Sequence, residues 1–162
     1  MRLHYFDIPN GWEVVVEYTA AYLFGLFIFQ ALFMRSMYPN YVAAVRGTLF
    51  AETVSMNMVM AGMFPVIVAI KYHYPLASDP FLPYFWGMMS LATIVGALFA
   101  YPINAWMVGK GVKHGMMSQR IEMHHEVAPL PKKQALFLII ATYLFFFFVL
   151  ALISLFAPIR FT

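Results

Sequence analysis

In the stretch "ETVSMNMVMAGMFPVIVAI", Glu52 to Ile70, four of the eight residues from Met56 to Met63 are methionine. On a helix, Glu52, Met56, Met60 and Met63 fall at i, i+4, i+8 and i+11 and share one broad stripe, while Met58 points elsewhere. Thioethers are soft ligands that suit Cu(I), so a row of them beside an acid resembles a stepping path for a soft monovalent ion. Methionine is equally a flexible filler of irregular gaps between helices. With 13 methionines in 162 residues, clustering needs no metal to explain it. Packing is therefore the leading expectation and a Cu(I) path the alternative.

Further candidate ligands sit in "RIEMHHEVAPLPKK", where Met123, His124, His125 and Glu126 adjoin, with His114, Met116 and Met117 upstream. Histidine is the commonest metal ligand, but an adjacent pair lacks the i,i+4 spacing that sets two imidazoles on one helical face. No third fixed ligand closes a site either. The pair reads as a solvated or subunit-contacting loop, and His114 and Met116 join Glu52 and the methionines only under the Cu(I) alternative.

Two acids stand in apolar surroundings, Glu17 and Glu52. A carboxylate at the bilayer centre costs at least ~2.5–3.5 kcal/mol, so an acid inside a span is a functional candidate. Each lies about one turn from the end of its expected span, however, where anchoring or internal hydrogen bonding suffices. They fall near opposite surfaces and cannot form a dyad. Nucleotide loops, a nucleophile elbow and HExxH are missing. The lack of cysteine excludes disulfides and thiolate sites. We expect no enzyme active site and no resident cofactor.

The elements that carry these residues follow from composition. The chain is 63% hydrophobic and 10% charged, with a mean hydropathy of +0.76, against about 25% charged for a soluble domain. Four stretches reach the roughly 20 residues needed to span a bilayer: 14–33, 49–70, 85–107 and 135–159. Strand-length alternation is absent, so helices are expected rather than a barrel. No h-region with a cleavage site precedes the first span, so no removable signal peptide is expected. The expected fold is all-α, a single integral membrane domain built as a four-helix bundle.

Basic residues orient it. Arg35, Arg46, Lys110, Lys113, Arg120, Lys132 and Lys133 follow the first and third spans, whereas the other side holds Arg2, Lys71 and Arg160. Positive residues in short loops stay cytoplasmic. Both termini are thus expected in the periplasm and the loop 108–134 in the cytoplasm, in a bacterial inner membrane. The net charge of +3 reflects these anchors and implies no nucleic-acid partner.

The fourth stretch is apolar on every face except for Thr142, Tyr143 and Ser154, so it is expected to face lipid or another subunit. The third shows Ala92, Gly96, Ala100 and Asn104 at strict i+4 spacing. Such a row lets another backbone approach closely, and Ala21 and Gly25 of the first span are its expected partner. Asn104 should bond to the helix that packs there. Asn57 and Ser55 read as interhelical hydrogen-bond partners, each worth about 0.6 kcal/mol. "GKGVKHG" from Gly109 to Gly115 reads as a helix end at the headgroups.

The blocks "VVEYTAAYLFGLFIFQALFM", "SMNMVMAGMFPV" and "FWGMMSLATIVGALFAYPINAWMVGKGVKHGMM" resemble a bacterial membrane family, domain of unknown function 4396, over Val14 to Arg120. The resemblance implies a compact multi-helix inner-membrane protein and no reaction. Its pattern falls on Glu17, Gln30, Glu52, Ser55, Met56, Asn57, Met60, Met63, Asn104, Lys113, His114 and Met116. It also implies upstream helices bearing a cysteine- and histidine-containing segment, which this sequence does not carry ahead of "VVEY". The fourth helix lies outside it. A metal activity resting on that segment is in doubt here, and an added apolar helix favours an accessory subunit that meets other membrane subunits through that helix and the small-residue faces. Reporter fusions are expected to place both termini outside and the loop 108–134 inside; a periplasmic loop would reverse the orientation.

Overall fold

The structure, a computed structural model, describes residues 10–30, 39–112 and 130–157. These form helices throughout, with no strand among the described residues. Helix α1 (Asn10–Leu23) continues as a π-helical segment, Phe24–Gln30. Helix α2 spans Tyr41–His73, a short 3₁₀ turn covers Pro75–Ser78, α3 spans Pro83–Gly109 and α4 spans Lys132–Ser154. Helices α2, α3 and α4 are each long and apolar enough to cross a membrane, which marks a membrane protein; the apolar part of α1, Val14–Ile28, is shorter.

The helix ends follow from local chemistry. Asn40, with extended backbone, accepts from the Ala43 N–H at 2.8 Å and so caps α2. Pro83 opens α3, where its missing N–H costs nothing. At the far end of α3, Val112 N–H bonds to the Met107 carbonyl and Gly111 N–H to that of Val108. Gly111 sits at φ 66, the left-handed conformation this closure requires. Val112 and Met107 then bury together in the same apolar cluster, completing the stop.

Helix α2 starts at Tyr41, eight residues before the apolar stretch beginning at Leu49. The Asn40 cap extends the helix through Arg46 and Gly47, which interrupt hydropathy but not hydrogen bonding. Arg46 is therefore on the helix and not in a loop. Glu52 lies about three turns inside α2 rather than one.

Helix α2 is the hub. Helices α1, α3 and α4 each pack on it, while α3 makes no backbone approach to α1 or α4 among the described residues. Half of the apolar window of α2 is buried, against 22% for α3 and 11% for α4. One apolar cluster joins Met60, Ala61, Phe64 and Ile67 of α2 to Met88 and Ala92 of α3 and Phe146 of α4. A second joins Ala51 and Val54 to Met107 and Val112, with Leu130, Leu138 and Ile139 packed against it.

The small-residue row of α3 is buried as its spacing implies, but its partner is α2 and not α1. A Cβ on Gly62 would lie 2.9 Å from both the Gly96 Cα and the Val95 carbonyl oxygen. One on Gly96 would lie 2.9 Å from the Val59 carbonyl oxygen. Gly62 supplies the second small residue at the crossing, whereas Gly25 of the π-helical segment rests against Glu52 and Met56.

Gly62→Ala and Gly96→Ala should each destabilise the fold by about 1–3 kcal/mol, because backbone must move to admit the methyl group. Gly87→Ala, with nothing within 4 Å of the added atom, should be neutral or slightly stabilising. Unfolding titrations in mixed micelles check the contrast.

Candidate functional site

The chemistry-bearing residues lie along the seams of α2. The methionine stripe is divided among its neighbours. The Met56 Cε lies 3.2 Å from where a Cβ on Gly25 would stand, and the Met63 Cγ 2.6 Å from the equivalent point on Gly96. Met60 is 6% exposed inside the first apolar cluster, beside Met88. Two of the three thioether side chains thus fill the space left by a glycine on a facing helix. Among the described residues, no group of three or more His, Cys, Asp or Glu converges to hold a metal. His114 and Met116 lie outside the described residues, as do Lys113 and the histidine pair.

Glu52 is 7% exposed. Its Oε1 lies 2.5 Å from where a Cβ on Gly25 would be. Gly25 belongs to the π-helical segment, whose wider turn comes down onto the carboxylate only because no side chain intervenes. Glu17 lies toward the opposite end and pairs with Lys71 at 3.7 Å; its side chain is 41% exposed. Exposed pairs of this kind contribute about 0–1 kcal/mol, which fits an anchoring role.

Asn57 organises the centre. It is 0% exposed. Its Nδ2 donates to Thr142 Oγ1 at 3.1 Å, and its Oδ1 accepts from the Tyr18 hydroxyl. The Thr142 hydroxyl in turn donates a hydrogen bond to the Ile139 carbonyl at 3.0 Å. The Tyr143 hydroxyl is 3.2 Å from that of Tyr18. Tyr18 has one proton, already committed to an oxygen that can only accept, so Tyr143 is the donor between the two. One turn away, Tyr22 lies 2.8 Å from Thr53 Oγ1, and Thr53 donates to the Leu49 carbonyl. The Tyr18 ring stacks on Phe146 of α4 at 5.3 Å between centroids, which aligns its hydroxyl.

The α2–α3 seam has its own polar pin. Asn104 Nδ2 donates to Ser55 Oγ at 3.0 Å and to the Ala100 carbonyl at 2.9 Å. Among the described residues, every buried side-chain nitrogen or oxygen has a partner. The network holds helices in register; its central member is an amide, which offers no titratable proton to a relay.

Sequence reasoning picked out Asn57, Ser55 and Asn104 but missed Tyr18 and Tyr22, whose i,i+4 spacing was the available signal. The fourth helix was expected to face lipid or another subunit, and it also has an inward face. Thr142 and Phe146 of α4 are buried, and the polar interruptions Thr142 and Tyr143 turn inward to meet Asn57 and Tyr18.

The family model described as Domain of unknown function (DUF4396) matches residues 1–113 of the 162. The chain belongs to this family. No curated protein and no solved structure matches it. The DUF4396 match begins upstream of Val14 and ends short of Arg120. It takes in α1, α2 and α3 with the closing turn at Gly111, and leaves α4 outside. The second partner of the central amide in this DUF4396 protein therefore comes from beyond the matched region.

Asn57→Ala should cost about 1–3 kcal/mol by leaving Tyr18 and Thr142 unpaired. In a double-mutant cycle with Thr142→Val, the two losses should couple by about 0.6–1.7 kcal/mol, the range for interhelical hydrogen bonds in lipid. Ser154→Ala, which removes an exposed bond within its own helix, should be silent. Strictly additive losses at positions 57 and 142 would refute the pairing.

Proposed function

We propose that this DUF4396 protein is a non-catalytic subunit of a larger membrane assembly. In this reading it is a four-helix transmembrane domain of the bacterial inner membrane with both termini in the periplasm. The observation that carries the reading is that, among the described residues, every buried side-chain nitrogen and oxygen has a partner. Buried hydroxyls and amides satisfy one another across the helix seams, which is the pattern of register pins rather than of a substrate path. The outward faces are apolar: Phe137, Leu144 and Phe148 on α4 and Leu91, Ile94 and Leu98 on α3 are exposed. Such faces accept either lipid chains or the helices of a neighbouring subunit. The orientation rests on the basic residues, with Arg46, Lys110, Lys132 and Lys133 toward one end and Lys71 toward the other.

A second reading, Cu(I) transport or chaperoning, is favoured by one observation. Met88 and Met89 of α3 add two sulfurs to the cluster around Met60, so thioethers from two helices gather there. Replacing Met56, Met60 and Met63 together by Leu separates the readings. Near-isosteric apolar swaps cost under ~1.5 kcal/mol each, so a packing role predicts a variant that folds and assembles with no metal phenotype. Glu52→Gln keeps shape while removing charge, and should also assemble nearly normally.

Native mass spectrometry of gently extracted protein is expected to show a second membrane polypeptide at fixed stoichiometry, unchanged in the triple Leu variant. A lone chain carrying stoichiometric Cu(I), lost in that variant, would overturn the subunit reading in favour of metal handling.

A further inference from the structure

The cross-helix hydrogen bonds set the levels of the helix ends. Helix α3 runs antiparallel to α2, with Asn104 at Ser55. Lys110 lies six residues further along α3, which brings it level with Leu49 of α2. Helix α4 runs parallel to α2, with Thr142 at Asn57 and Phe146 against Phe64. Lys132 lies ten residues back along α4, level with Gly47. Arg46 is one position from that level. At 1.5 Å per residue, Arg46, Lys110, Lys132 and Lys133 thus fall within about 5 Å of one height, contributed by three different helices.

All four are exposed. The second apolar cluster, with Ala51, Met107 and Val112 buried beneath, holds the helix ends together at this height. Of the acids whose side chains are described, Glu17 and Asp79 are at the other end, and Glu52 is buried about a turn further in. Helix α4 begins at Lys132, after Pro131, with no side-chain cap among the described residues, so the positive end of its dipole lies at the same rim. Directly below, the outer faces of α3 and α4 are exposed and apolar.

We propose that this rim is a binding site for the headgroup of an anionic phospholipid, with the acyl chains lying along the exposed faces of α3 and α4. The partner is argued from charge and geometry together. Four cations at one height match phosphate, and the apolar faces that continue from them match the chains attached to that phosphate. The proposal rests on the bilayer placement given above, but not on the subunit role or on which leaflet is involved.

Trp106, one turn before Lys110, is a built-in reporter once Trp12 and Trp86 are replaced by Phe. The protein is reconstituted in bilayers of phosphatidylcholine alone or equimolar with phosphatidylglycerol, with bromine on the acyl chains of one lipid at a time. Brominated phosphatidylglycerol should quench Trp106 several-fold more effectively than brominated phosphatidylcholine, and added salt should shrink the difference. Neutralising the rim with Arg46→Gln, Lys110→Gln, Lys132→Gln and Lys133→Gln should bring the ratio to about one. The charge-preserving set Arg46→Lys, Lys110→Arg, Lys132→Arg and Lys133→Arg should retain it, as should Lys71→Gln at the opposite end. If the fourfold neutral variant does not fold, Lys132→Gln with Lys133→Gln alone should still lower the ratio.

Equal quenching by both lipids in the parent protein, or an undiminished ratio in a folded neutral variant, would overturn the proposal; equal quenching would leave an acidic segment of a partner subunit as the counter-charge. Failure of the bilayer placement itself reads differently, because Trp106 would then be quenched by neither lipid.

Discussion

A side-chain amide with no access to water must find its hydrogen bonds inside the protein, and the arrangement around α2 answers to that demand. Asn57 is enclosed among apolar helices, where an unpaired polar group costs several kcal/mol. One partner comes from α1 and the other from α4. Satisfying one residue therefore fixes the rotation and height of two helices against a third. The stacking of Tyr18 on Phe146 follows from that geometry, since the ring reaching the amide must pass beside α4.

The third neighbour is held differently. Between α2 and α3 the backbones meet at Gly62 and Gly96, and contact rather than hydrogen bonding carries most of the seam, with Asn104 and Ser55 as one pin near its end. Methionine and glycine are complementary here. Where a glycine leaves space, a thioether side chain from α2 enters it, at Gly25 from Met56 and at Gly96 from Met63. Unbranched, polarisable side chains suit such irregular spaces better than branched ones.

Much of this was legible in the residues. Hydropathy located the helices, the row from Ala92 to Asn104 identified the face of α3 that is packed, and "GKGV" announced its closing turn. Three features were not legible, each for a physical reason. The start of α2 is set by the Asn40 cap, a hydrogen-bonding signal that hydropathy does not register, and this also misplaced Glu52 along the helix. The partner of the α3 row depended on which of several small residues faced it, a question of rotation that spacing within one helix cannot settle. The inward turn of Thr142 was hidden because α4 is apolar on all sides, so its polar residues carried no periodic signal. In the site itself, the approach of Gly25 to Glu52 arises from a change of helical pitch at Phe24, and no residue type specifies that.

The separation of 85 residues between Asn57 and Thr142 has a consequence for biosynthesis. At roughly 5–20 residues per second, translation leaves about 4–17 s between the appearance of the amide and that of its last partner. Tyr18 is already present throughout, so α1 and α2 can join early while one amide proton waits. The interval places the unfinished pair in the hands of the insertion machinery, which must shelter a polar group until α4 arrives. A ribosome stalled or truncated before α4 would release a chain whose three earlier helices are complete but whose centre is not, a species for membrane quality control to recognise.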